Sequence, residues 1–93
     1  LALGMANIII GNGWENKGYI QKYTHGFEEY KALVAQYPVD KVSQITGIAP
    51  GDIVQVAKLY ATGGPACTNY SACALTHRVN GFQTHRAVFC LAV

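Results

Sequence analysis

The stretch "TGIAPGDIVQVAKLYATGGP" (Thr46–Pro65) carries the best-marked structural signal in the sequence. Pro50 suits the first position of a helix, where its missing N–H and fixed φ do no harm. Asp52 falls in the first turn, where its charge favours the positive end of the helix dipole. Ile53, Val56, Ala57 and Tyr60 recur at three- and four-residue steps, the spacing of one buried face. Gly63, Gly64 and Pro65 then stop the helix.

The same reading extends in both directions. "LALGMANIII" (Leu1–Ile10) places Leu3, Met5, Ala6, Ile9 and Ile10 near helical spacing, and "GNGW" (Gly11–Trp14) breaks the pattern. A helix is predicted over Ala2–Gly11. A short second helix is predicted over Glu15–Tyr23, with Tyr19, Ile20 and Tyr23 on one side. In "THGFEEYKALVAQYP" (Thr24–Pro38), Phe27, Tyr30, Val34 and Tyr37 form the stripe, and Glu28 and Glu29 occupy the first turn. Pro38 is expected to end that helix and to open another, with Val39, Val42 and Ile45 facing inward. Further on, "ACTNYSACA" (Ala66–Ala74) reads as a short strand, Thr76–Asn80 as a loop, and a helix starts near Gly81 and runs to the end. The fold class is therefore mostly α with one or two short strands. Residues 1–93 form a single partial domain, with a helical part over 1–64 and a strand, polar loop and truncated helix over 65–93. A lone strand cannot form a sheet, which points to partners outside the chain.

Composition agrees. Charged residues make up 13% of the chain, where an ordinary soluble domain carries about 25%. A domain this small buries only roughly 60–65% of its unfolded surface, so it has the most surface to solvate. Part of that surface is expected to face other polypeptide, and the chain is expected to be a fragment. Leu1 is not an initiator Met and has no capping residue before it; "RAVFCLAV" (Arg86–Val93) has no Gly, Asn or Pro to stop it. The basic residues Lys17, Lys22, Lys31, Lys41, Lys58, Arg78 and Arg86 are scattered, which disfavours nucleic-acid binding. The apolar run around Ile8–Ile10 is far short of the ~20 residues that span a bilayer, so no membrane contact is expected. No export signal marks a compartment. Cys67, Cys73 and Cys90 fit no zinc or iron–sulfur spacing and are expected to be small buried side chains.

Several motifs fail. "TGGPA" (Thr62–Ala66) lacks the GK[ST] ending of a P-loop, and the "GNG" at 11–13 follows a helical segment where a dinucleotide fingerprint needs a strand. Glu28 and Glu29 are sequence neighbours that face different directions, so no carboxylate pair is available. A metal set of Cys73, His77 and His85 needs a helix to put the first two on one face, and none is predicted there. The remaining cluster is Thr76, His77, Asn80, Gln83 and Arg86, at a loop-to-helix transition. Asn80 stands where it could cap the helix, and the free N–H groups of the first turn suit an anion or the polar edge of a cofactor. The other reading is that Asn80–Gly81 only caps and the histidines are solvated.

Taken in order, the pieces resemble one family. The run from Leu1 to Ala66, with its "ITG…I…A…YA…P" pattern, and "THRVNGFQTHRAVFCLAV" (Thr76–Val93), set against the family's "TQHxNGxQxxRAIxxLxxLTGN", resemble the molybdopterin oxidoreductases. These are the molybdenum or tungsten bis-pterin enzymes of the dimethyl sulfoxide reductase and formate dehydrogenase type. The resemblance covers essentially the whole chain, and it rests on the order and spacing of the pieces rather than on one short motif. It implies an internal fragment of a catalytic subunit: the last helices of a Rossmann-like domain in a large α/β protein, and the crossover into a neighbouring cofactor-binding domain. His77, Asn80, Gly81 and Gln83 match the family's polar "H…NG.Q" element, which approaches the pterin and the active-site funnel. Arg86 matches the Arg of its "RA". Ser71, Ala72 and Cys73 replace a Gly-rich strand end.

The resemblance also implies what lies elsewhere. The parent would carry a molybdenum or tungsten bis-pterin guanine dinucleotide and, in the family, an iron–sulfur cluster. Both the metal ligand and the cluster cysteines lie upstream, so the isolated segment is expected to bind no cofactor and to be inactive. Its partners would be the remaining domains of the parent catalytic chain, with room for non-native self-association through exposed apolar faces. The alternative is an autonomous small helical protein-interaction module.

Overall fold

The computed structural model describes residues 1–69 and 71–93, with only the backbone at Ala72. Seven helices form among them: α1 (Ala2–Gly11), α2 (Lys17–Tyr23), α3 (Phe27–Val34), α4 (Val39–Thr46), α5 (Pro50–Thr62), α6 (Ala72–Thr76) and α7 (Gly81–Leu91). The described residues contain no strand.

α1 is the hub. It carries no charged side chain and Asn7 is its one polar one, and a helix this apolar must be covered on several sides. It packs against α3, α4, α5 and α7, while α4 also packs on α5 and α6 on α7. The approach of α4 is very close at Gly4: a Cβ there would lie 2.7 Å from Cγ2 of Val42. Glycine is what lets the two helices cross at that distance. Met5 and Ala6 of α1, Val34 of α3, Val42 of α4, and Ile53 and Ala57 of α5 form the core, with Ile53 and Val34 each only 1% exposed. Asn7 Nδ2 donates to the Tyr37 carbonyl at 3.2 Å and ties α1 to the α3–α4 turn. Ser43 Oγ donates to the Ile48 carbonyl at 2.6 Å and closes the α4–α5 turn.

Several expectations need correction. The stretch 66–69 has no regular structure, and Ala72–Ala74 are helical rather than extended; the expected strand's Tyr70 lies outside the described residues. The reason is Ser71, whose Oγ accepts the N–H of Ala74 at 3.2 Å and caps a short helix rich in alanine. α2 begins two residues late because Asn16 is its cap, Oδ1 accepting the Tyr19 N–H at 3.0 Å. α3 ends at Val34, before Pro38. The residue before a proline is pushed out of the helical region, so the chain turns at 35–37 and Pro38 stands extended as the N-cap of α4.

Two residues expected inside are outside. Ile45 is 68% exposed: the face of α4 that meets α1 is used up at the Gly4–Val42 crossing. Val56 is 48% exposed, because Ile53, Ala57 and Tyr60 alone fill the narrow inward stripe and Val56 sits about 100° round from Ala57. All three cysteines are exposed, not buried. Cys67 and Cys73 belong to the irregular segment and the short helix after it, and Cys90 lies at the open end of α7. No helix of the described residues is long and apolar enough to cross a membrane.

Candidate functional site

The polar cluster is built on the junction between α6 and α7. Gly81, the first residue of α7, is buried. A Cβ there would lie 2.5 Å from the Leu75 carbonyl oxygen and 2.7 Å from that of Thr76. Only a residue without a side chain lets α7 start directly against the end of α6. Gly81 thus fixes where the next side chains stand.

Asn80 takes the N-cap position, but its side chain makes no capping hydrogen bond. Its backbone, at φ −111° and ψ 27°, is far from the extended form that a side-chain cap uses. Thr84 closes the turn instead, with its N–H and its Oγ1 both donating to the Asn80 carbonyl at 3.0 Å. Gln83, one turn into the helix, accepts from Arg86 Nη1 through Oε1 at 3.3 Å. The Arg86 guanidinium also lies 5.8 Å from the centre of the Phe82 ring, within the range of a cation–π contact.

Asn80, Gln83, Thr84 and Arg86 line one open cavity of about 740 Å³, facing Leu1, residues 2–5 of α1, and Thr46, Tyr60 and Thr68. Tyr60 Oη and Thr68 Oγ1 share a hydrogen bond of 3.1 Å, which anchors the segment after α5 to the cavity wall. The wall therefore mixes an amide pair, a guanidinium and hydroxyls with apolar surface, the usual make-up of a small-molecule site. These groups can both donate and accept hydrogen bonds.

Of the four residues singled out from the sequence, the structure brings Asn80 and Gln83 together on this cavity. His77 is exposed at the C-cap of α6 and does not line it, and Gly81 sits beneath it as a spacer. Thr84 was missed, although its position four residues after Asn80 on one helix was a readable signal. Thr46, Tyr60 and Thr68 arrive from distant parts of the chain and carried none. Among the described residues no three His, Cys, Asp or Glu side chains come together as a metal site. The set Cys73, His77 and His85 is thus not assembled.

Tyr30 lines this cavity and a second one beside it, and Tyr60, Cys90 and Leu91 share that wall. Burial, with the Cys90 thiol nearby adding to it, pushes the Tyr30 hydroxyl up to about 12. It therefore keeps its proton at neutral pH.

In sequence and in fold the chain is homologous to a segment of acetylene hydratase, formate dehydrogenase H and related oxidoreductases of the molybdopterin and tungsten class. Among the particular relatives, the chain is 44% identical over 66 residues to acetylene hydratase of Syntrophotalea acetylenica, covering 71% of the chain and 9% of that protein. It is 32% identical over 89 residues to formate dehydrogenase H of Escherichia coli, covering 96% of the chain and 12% of that protein. The solved structure of acetylene hydratase from Pelobacter acetylenicus superposes with a TM-score of 0.92 at 36% identity, over 97% of the chain and 12% of the other. The chain thus spans about a tenth of the length of the proteins it matches. No protein-family model matches it.

Proposed function

We propose that the chain is part of the catalytic subunit of a molybdopterin oxidoreductase, in which it helps to hold the bis-pterin cofactor and to shape the funnel leading to it. The observation that carries this reading is the convergence of Asn80, Gln83 and Arg86 on one cavity, at the position where the sequence resembles the family's cofactor-approaching element. Asn80 and Gln83 would hydrogen-bond the polar edge of the pterin. Gly81 sets their place, whereas His77, exposed at the end of α6 and off this cavity, would reach the cofactor only from outside it. When bound, the metal–pterin group supplies the redox or metal-centred chemistry. This chain contributes binding and orientation. In that reading α1–α5 belong to the edge of a Rossmann-like domain whose strands lie in other parts of the subunit. The rival reading of an autonomous interaction module draws on the same exposed apolar faces and on no observation of its own.

The test uses the larger protein that carries this segment. Gln83→Ala and Asn80→Ala should lower its content of metal and of releasable pterin while its melting temperature changes little, because both side chains are exposed. Full retention of pterin and metal in both variants would contradict the proposal.

A further inference from the structure

A second cleft, about 690 Å³ in volume, opens on the other side of the Tyr30–Tyr60 wall. Trp14, Tyr19, Phe27, Tyr30 and Tyr60 give it five aromatic rings, and Glu15 is its one carboxylate side chain among the described residues. No lysine or arginine lines it, although the chain carries seven. His25 also lines it. Glu15 belongs to the turn between α1 and α2, and its Oε2 is shut off from solvent with no hydrogen-bond partner among the described residues. The Tyr30 hydroxyl is in the same condition.

A sheltered carboxylate oxygen without a partner is an unfavourable arrangement, and a cationic donor is the group that best relieves it. Aromatic walls favour the same ligand, because a cation is drawn to the negative faces of the rings. Apolar side chains such as Ile9, Ile10 and Leu91 extend the wall and suit an aliphatic stem, as long basic side chains bury the stem and satisfy the head. The homologues are roughly eight times as long as this chain, since 66 and 89 aligned residues make up only 9% and 12% of them. They therefore contain ample further polypeptide to supply such a side chain.

We infer that the Glu15 cleft seats an arginine or lysine side chain presented by another polypeptide segment, its head on the Glu15 carboxylate and its stem along the Trp14 and Tyr19 rings. This goes beyond the cofactor reading and does not depend on it: the residues are different and the ligand has the opposite character.

Trp14 is the chain's single tryptophan, so its fluorescence reports on this cleft without labelling. The chain is titrated with acetyl-Leu-Arg-Leu-amide, with the same peptide carrying neutral citrulline for arginine, and with free butylguanidinium. The expected result is a saturable change with the arginine peptide, at least about tenfold tighter than with either comparison. Glu15→Gln should bring the arginine and citrulline peptides to equal affinity. If that variant does not fold, Glu15→Asp, which keeps the charge and shortens its reach, should narrow the gap, and the peptide comparison on the unaltered chain stands without either. A flat titration, or equal binding of the citrulline peptide, overturns the proposal. Butylguanidinium binding as tightly as the arginine peptide overturns its polypeptide source.

Discussion

Residues 1–62 and residues 63–93 solve the same problem differently. The first region holds every buried apolar side chain among the described residues: Met5, Ala6, Val34, Val42, Ile53 and Ala57. In the second, Gly81 is the one buried residue among those described, while Val79, Phe82 and Phe89 stand open to solvent, Phe82 at 72%. α7 still lies against α1, so it is positioned by the core without adding to it. The difference separates a part that generates stability from a part that presents chemistry. Asn80, Gln83 and Arg86 project from the second region, and the first provides the floor on which they stand. The exposed aromatic surface of α7 fits the low charge content, since both leave apolar area for other polypeptide to cover.

The largest expected effect comes from the floor. Ile53→Ala should cost roughly 2–5 kcal/mol in urea denaturation, the range for truncating a fully buried aliphatic side chain. A cost below that would mean that α5 is not held where its burial indicates. Next is Gly81→Ala, which forces a Cβ into the Leu75 and Thr76 carbonyls. It should cost about 1–3 kcal/mol, as overpacking does, and should loosen α6 and α7 while sparing α1 and α5. If both regions lose protection together, the chain is one cooperative unit and the division fails. The smallest effect belongs to Phe82→Ala, expected within about 0.5 kcal/mol for an exposed position. A larger loss would show that α7 carries stability of its own.

How much of this was legible depends on distance along the chain. α1 and α5 were readable to the residue because spacing and end signals agree: Gly11 closes the first, and Pro50, Asp52 and Gly63 bracket the second. The segment 66–74 was misread because small residues carry little period, and the cap on Ser71 that decides for a helix is a single hydrogen bond. The outward positions of Ile45 and Val56 were hidden because a three-residue step does not say how wide the contact face is. At the site, Asn80 and Gln83 were visible as neighbours on one helical turn. Thr46, Tyr60 and Thr68 were not, because they reach the cavity through packing between helices. Gly81 could be noted as a glycine, but its reason, two carbonyls within 3 Å of where a Cβ would be, exists only in three dimensions.

Amide hydrogen exchange along the chain tests the two-region account most directly. Exchange should be slowest at Met5, Ala6, Ile53 and Ala57 and markedly faster throughout α6 and α7, because local opening follows the density of buried contacts. Equal protection of α7 and α5 would contradict it.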